Sequence, residues 1–327
     1  MFCEQTTHTV WILIRCGKPH VRNPVHLSTV SDFPDATSRL IHLSAEICFG
    51  LWECPPNSKL WTTENTIGPD PVIALPWTPV VIDRMHARSE MVDPNCVVFY
   101  APGEPYARQI ASVRGDRCGF ISPSPQLLAE ALEDAGLSAA NDAPPFKTGP
   151  AVSWVTAAHH KLARALVDNM ELPRIAIESI LMDIVRQTVL AAATSRRRPP
   201  RINKTQRAHA DIAHRAREIM AHSIDNHTLG EPLRLNDLAR QLHVSPFHLC
   251  RVFKQQTGES IAKHALRLRL RAATEQLAWS GKTITSIAHC FGFANHAHFT
   301  TAWKAEFGRP PSALRRQMPE DFLQARN

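Results

Sequence analysis

The strongest constraint on this chain is a pattern that occurs twice between Leu235 and Arg316. Leu238-Ala239 recurs as Ile287-Ala288, 49 positions on, whereas Phe253-Lys254 and Gly258 recur as Trp303-Lys304 and Gly308, 50 positions on. The second copy therefore carries one extra residue between its two helices. Each copy reads as a short helix, a tight turn and a longer helix. In that layout the second helix can enter a DNA major groove while the first braces it.

The local chemistry agrees position by position. Ala239 is small where two helices must approach. Ser245 offers a capping hydroxyl ahead of Pro246, whose fixed φ suits a first helical turn. From Pro246 onward, Leu249, Val252 and Phe253 recur at three- and four-residue spacing and should face a core. Phe247, Cys250, Arg251 and Lys254 then turn outward as a candidate reading surface. Gly258 suits a left-handed C-terminal cap. In the second copy Thr283 can cap the helix holding Ile284, Ile287 and Ala288, Gly292 supplies a turn, and Phe299, Trp303 and Phe307 form the inward stripe. Its outer positions, His296, Ala297, Thr300 and Thr301, offer hydrogen bonds or methyl contacts to bases but no permanent cation. The first helix is therefore expected to supply more of the electrostatic grip.

On these residues, together with Ser260, Arg269-Leu270, Ala273, Leu277, Phe293, Pro310 and Arg315, the C-terminal part of the chain resembles the DNA-binding domain of the AraC/XylS family of bacterial transcription regulators. The resemblance implies that each unit's second helix enters one of two successive major-groove segments, with a linking helix at about Ile261 to Trp279 setting their spacing. Carried over by position, base contacts fall to Phe247, Cys250 and Arg251 in the first unit and to His296, Ala297, Thr300 and Thr301 in the second. Ser245, Lys254 and Lys304 are placed against the phosphate backbone. Three positions depart from the family pattern: His264 stands for the usual Tyr, Trp303 for Phe and Thr301 for Arg. The first two read as core substitutions, and the third removes a cation from the second reading helix.

A length of 327 residues suits about two domains. Seventeen of the 25 prolines fall in residues 1–150, which favours short strands and turns there and helices afterwards. Residues 201–327 hold 19 Lys+Arg against 10 Asp+Glu, a net +9, whereas residues 1–200 come to −2. The basic excess lies with the repeated motif, as a polyanion binder requires. No stretch approaches the roughly 20 apolar residues of a membrane span. Val10 to Ile14 is too short, and lacks the preceding basic region, for a secretory signal, so a cytoplasmic protein with no membrane partner is expected. The eight cysteines contain no C-x-x-C pair and read as free thiols, a zinc site from Cys48, Cys54, Cys96 and Cys118 being the minor alternative.

Between Ile47 and Phe120, short β-branched and aromatic runs alternate with turn signals such as Pro55-Pro56-Asn57 and Gly68-Pro69-Asp70, which predicts an antiparallel β-barrel or jelly roll. Weaker strand signals lie at Val10 to Ile14 and Arg39 to Leu43. Asp93-Pro94, Phe99-Tyr100, Gly103-Glu104-Pro105-Tyr106 and Gly115-Asp116-Arg117-Cys118 are similar to the cupin-type N-terminal sensor domain found in part of the same family. The barrel region has no paired H-x-H, so neither a metal nor any other cofactor nor a catalytic residue is expected. Trp52, Trp61, Trp77, Phe99, Tyr100 and Tyr106 are available to line a small-ligand site, and Arg84, Arg108 and Arg114 could meet an anionic effector. No individual effector contact is assigned.

From Pro125 the period becomes helical: Leu127, Leu128, Ala131 and Leu132 suit a short helix, Ala139 to Pro150 a loop. Trp154, Ala158, Leu162, Ala165 and Leu166 mark one amphipathic helix, and Ile177, Ile180, Leu181 and Ile184 another, forming a hairpin packed on the barrel or on a second subunit. Ser195 to Arg201, with two prolines and four arginines, reads as a linker, and a further helix from about Gln206 to Asn226 leads into the DNA-binding unit. The expected organisation is a cupin-like sensor barrel over 1–124, helices over 125–194, a linker over 195–205 and an all-α domain with two helix-turn-helix units over 206–327. The expected function is an AraC-type transcriptional regulator, not an enzyme. Its partners are double-stranded promoter DNA, a small-molecule effector, a second copy of the chain and, as a candidate, RNA polymerase. Two other readings stay open: a DNA-modifying or repair protein that uses the module for targeting, and a ligand-independent dimerising architectural protein.

Overall fold

A computed structural model describes residues 10–11, 36–84, 89–138, 144–195, 204–225 and 234–315. The strands are β1 (Val10–Trp11), β2 (Thr37–Leu43), β3 (Ile47–Cys54), β4 (Asn65–Thr66), β5 (Val72–Pro76), β6 (Val80–Arg84), β7 (Glu90–Val92), β8 (Cys96–Tyr100), β9 (Pro105–Ile110), β10 (Asp116–Pro123) and β11 (Thr148–Pro150). They form a five-stranded sheet, order β1-β4-β9-β6-β7, and a six-stranded sheet, order β11-β8-β5-β10-β3-β2. All pairings are antiparallel except β1 with β4.

The two sheets share a core in which Val80, Ile82, Val92 and Tyr106 of the smaller meet Ala74, Val98 and Tyr100 of the larger. The opposite face of the larger sheet, through Phe49, Ile73, Val97, Phe99 and Ile121, is covered by three helices: α1 (Pro125–Asp134), α2 (Ser153–Val167) and α3 (Arg174–Ser195). A sheet covered on both faces needs apolar residues at successive positions, and β8 is accordingly buried along its whole length. The α2–α3 pair thus packs its apolar face within the chain. Two details differ from the sequence reading. Trp154 is 39% exposed, Val155 taking its place in the core. The segment read as a loop to Pro150 ends in β11, where Gly149 is needed because a Cβ there would stand 2.6 Å from Ala192 Cβ on α3. Most of the linker candidate, residues 196–201, lies outside the described residues, as does residues 12–14 of the first strand signal.

The remaining elements are helical: α4 (Lys204–Asp225), α5 (Leu235–Gln241), α6 (Pro246–Thr257), α7 (Ile261–Trp279), α8 (Ile284–Cys290), α9 (His296–Phe307) and α10 (Ser312–Arg315). The pairs α5–α6 and α8–α9 are the two repeats. Their turns superimpose bond for bond up to one residue. Val244 N–H donates to Ala239 O at 3.0 Å, and Phe293 N–H to Ala288 O at 3.0 Å. His243 and Gly292, 49 apart, both adopt the left-handed region, at φ 54° and 72°. Ser245 and Asn295, 50 apart, then cap α6 and α9 by accepting from His248 N–H at 3.2 Å and His298 N–H at 2.8 Å. The inserted residue is therefore Ala294.

The linking helix α7 also carries a polar stripe, His264, Arg267, Arg271 and Glu275, spaced three and four apart on one face. Three of its members are at least 95% buried, because the stripe faces the N-terminal half. Arg114 and Arg117 reach Glu275 at 2.6 and 2.5 Å. Arg271 donates to Asn95 Oδ1 at 3.2 Å, to Ser153 Oγ at 3.3 Å and to Glu306 Oε1 at 3.0 Å. Glu259 accepts from Arg267 at 3.1 Å and pairs with His264 at 2.8 Å. Burial opposes ionisation of Glu259, but the hydrogen bonds from His264 and Arg267 outweigh it and hold its pKa down at about 2. Glu306 is likewise lowered: burial opposes this, and Ser153, Arg271 and Arg267 prevail.

Two predictions come from these local features. Gly292→Ala should cost about 1–2 kcal/mol, the left-handed penalty alone, because the new Cβ would meet only Arg269 Nη1 at 3.6 Å. His243→Gly relieves the same strain and should leave stability unchanged or slightly higher. Urea midpoints of the two variants check this, and a neutral Gly292→Ala would refute the requirement. The second concerns acid. Glu259 and Glu306 have depressed folded pKa values, so their contribution is complete above about pH 4.5 and is lost as pH falls towards 2. The Glu259→Gln/Glu306→Gln double variant should show a flatter fall of melting temperature across that window than the parent chain. An unchanged slope would contradict the assignment.

Candidate nucleic-acid interface

The first unit presents α6 as an exposed, fixed helix. Ser245 caps it, Pro246 opens it, and Gly258 closes it at φ 79°. Leu249, Val252 and Phe253 are buried, against α4, α5 and α7. The face turned away carries Phe247, 81% exposed, with Cys250, Arg251 and Lys254, also exposed. An apolar ring that open to solvent has no packing role in the described chain. Arg251 Nη2 lies 3.4 Å from His248 Nδ1, and the His248 ring meets His209 of α4 edge-on at 5.5 Å. No local pattern announces that His209 of α4 meets His248; only the i, i+3 spacing of His248 and Arg251 is visible in the sequence.

The second unit presents α9 in the same way. Phe299 and Trp303 are buried in an aromatic ladder, with centroids 5.0 Å from Phe293 to Phe299, 5.5 Å from Phe299 to Trp303 and 4.2 Å from Trp303 to Phe307. His296, Ala297, Thr301 and Lys304 are exposed, and Thr300 is half-buried with its Oγ1 3.5 Å from His296 Nε2. The structure thus gathers Phe247, Cys250 and Arg251 on one exposed helical face and His296, Ala297, Thr300 and Thr301 on another.

The aromatic and arginine candidates of the N-terminal half divide. Trp52, Tyr100 and Tyr106 line a cavity of about 70 Å³ between the two sheets. Phe99 faces α1–α3 instead. Trp77 lies in a buried stack with His160 and Trp279 of α7, at 4.5 and 5.6 Å, and donates to His159 Nε2 at 2.8 Å. Burial holds His159 down at about 4, and His160 is pushed down by burial, by His159 and by Arg117, so the stack contains neutral imidazoles. Of the three arginines only Arg108 lines the cavity. Arg84 pairs with Glu104 at 3.0 Å, and Arg114 with Glu275. Among the described residues no group of three or more His, Cys, Asp or Glu is arranged to hold a metal ion.

A family model described as a helix-turn-helix domain matches residues 238–317. The bifunctional transcriptional activator/DNA repair enzyme AdaA of Bacillus subtilis is 36% identical over 85 residues, 26% of this chain and 40% of its own length. The HTH-type transcriptional activator RhaS of Yersinia pestis is 40% identical over 70 residues, 21% of this chain and 26% of its own. A crystal structure of an AraC-type transcriptional regulator from Chromobacterium violaceum is 31% identical, covering 32% of this chain and 90% of that one, with a TM-score of 0.30. These two curated relatives are matched over no more than 40% of their length. The matched stretch contains both repeats, from α5 through α9. Residues 238–317 are thus a helix-turn-helix domain of the AraC type, and the similarity to transcriptional regulators lies in that stretch of the chain.

Proposed function

We propose that this chain is a sequence-specific regulator that binds promoter DNA through α6 and α9 in two successive major-groove segments, under the control of a small molecule held between the sheets of a cupin-like N-terminal barrel. The observation that carries the reading is the pair of capped, exposed helices built on one repeated frame. Phe247, Cys250 and Arg251 are the base-contacting set of the first, with Arg251 on a guanine. His296, Ala297, Thr300 and Thr301 are that of the second, and Ser245, Lys254 and Lys304 lie near phosphates. On this reading the chain divides at about 124, 194 and 205 into barrel, helical region, linker and DNA-binding domain. It acts in the cytoplasm as a homodimer through α3, whose Ile175 and Leu190 stay 78% and 45% exposed, and RNA polymerase is a further partner. Among the described residues no helix is long and apolar enough to cross a membrane.

Two thiols of the N-terminal half, Cys96 and Cys118, do not fit the repair reading. Burial and nearby carboxylates push Cys96 and Cys118 up, the reverse of what a thiolate nucleophile needs.

Selection of random duplexes by the full-length chain, with titrations at two salt concentrations, tests the proposal. Two sequence blocks about one helical turn apart are expected. Arg251→Ala should cost about 1–3 kcal/mol and relax preference at one base position, whereas Lys254→Ala should weaken all sequences alike and reduce the salt slope. An unaltered sequence preference in Arg251→Ala would remove that residue from the reading surface.

A further inference from the structure

The cavity between the sheets combines an apolar lining with one charged pair. Ala74, Val80, Ile82, Val98, Tyr100 and Tyr106 supply much of the wall. Into it project Arg108, 3% exposed, and Asp116, 5% exposed, joined Nη1 to Oδ2 at 2.6 Å. Asp116 Oδ2 also accepts from Trp52 Nε1 at 3.0 Å, and Arg108 Nη2 donates to Asn65 Oδ1 at 3.4 Å. The guanidinium lies 4.6 Å from the centre of the Trp52 ring. Its Nε–H is buried and has no hydrogen-bond acceptor among the described residues. An unsatisfied buried donor is disfavoured, and on a cavity wall it can be satisfied by whatever fills the space.

The balance of charge decides what that is. Arg108 is already neutralised by Asp116, so a carboxylate or phosphate entering the cavity would either compete with Asp116 or add a charge that nothing offsets. An ammonium group would face the guanidinium. Burial pushes Tyr106 up to about 12 and also raises Tyr100 well above the usual phenol value, so neither phenol adds a charge. A water needs roughly 10–15 Å³ of such space, so the cavity exceeds the needs of one water and suits a small organic molecule. We infer that it binds an uncharged, largely apolar small molecule carrying an oxygen acceptor, such as an alcohol, phenol or ketone, with the oxygen on Arg108 Nε and the apolar body against Tyr100 and Tyr106. This rests on the regulator reading only for its consequence: Arg117, next to Asp116 on β10, holds Glu275 of the linking helix at 2.5 Å, so an occupant acting on Asp116 acts one residue from the DNA-binding domain.

The test uses the full-length chain, with calorimetric and thermal-melt titration of acetophenone, benzyl alcohol and 1-hexanol against benzoate, benzylamine, toluene and glucose. The uncharged oxygen-bearing probes should bind, raise the melting temperature and outcompete benzoate and toluene by about tenfold or more. Ala74→Leu, which fills the cavity, should abolish binding while melting cooperatively; Val98→Leu serves if it does not fold. The Arg108→Met/Asp116→Leu double variant should still bind the alcohols but no longer prefer them over toluene. Equal or tighter binding of benzoate, a retained preference in the double variant, or no binding of any uncharged probe would overturn the inference. Duplex selection without probes judges the regulator reading separately: probe binding without a selected DNA motif would sink that reading and leave the cavity assignment standing.

Discussion

The Glu275 carboxylate is the constraint on which the arrangement depends. It sits on α7 at 1% exposure, in a domain whose charge is otherwise basic, and its counter-charges are Arg114 and Arg117 from the other half of the chain. A buried carboxylate without partners is strongly destabilising, whereas one held by two guanidinium groups is tolerated. The linking helix therefore cannot bury this face unless β10 and the turn before it are in place. Arg271, one turn earlier, imposes the same condition through Asn95 and Ser153.

Both reading helices depend on α7 through separate cores. Leu268 packs with Leu249 and Phe253 of the first unit, and Leu270, Ala273 and Leu277 with Ile287, Phe299 and Trp303 of the second. Each unit also touches the N-terminal half directly. Met91 and Ala111 join the first unit's core, while Glu306 of α9 accepts from Ser153 of α2 at 2.6 Å. A helix shared by two cores and fastened along its polar face transmits displacement rather than absorbing it, because packed interiors shift between discrete arrangements. Met91 and Val92 illustrate the connection: neighbours on β7, one packs on the DNA-binding domain and the other lines the cavity.

What the sequence made legible was local. The 49 and 50 offsets, the Ser245 and Thr283 caps and the glycine turns all express rules that act within a few residues, and the structure returns them with the insertion resolved to Ala294. What it hid was non-local. Of the stripe on α7 only His264 reads as core from the sequence; nothing near Glu275 indicates that Arg114 and Arg117, more than 150 positions away, will cover it. Trp77 reads equally well as ligand lining or core, and only the packing of α2 and α7 assigns it to the histidine stack. The three-residue strand β11 carries no period of its own; its pairing with β8 and the approach of Ala192 define it.

The same network revises the electrostatics of the proposed DNA contact. The net +9 of residues 201–327 counts Arg267 and Arg271, yet both are already paired with carboxylates, Arg267 half-buried against Glu259 and Glu306 and Arg271 buried against Glu306. Burial and the neighbouring Arg267 lower Arg271 to about 10, with Glu306 opposing, so its charge is maintained by a partner and not by water. The cations left on the reading helices are Arg251 and Lys254 on α6 and Lys304 on α9. Counterion release follows the number of phosphates neutralised, so on the proposed mode α6 governs the salt dependence. With Thr301 where the family has arginine, α9 can discriminate bases only by short-range hydrogen bonds and methyl contacts from His296, Ala297, Thr300 and Thr301. Such contacts act only at close approach, which makes the position of α9, and hence the hold of Ser153 on Glu306, part of how this chain would read its second half-site.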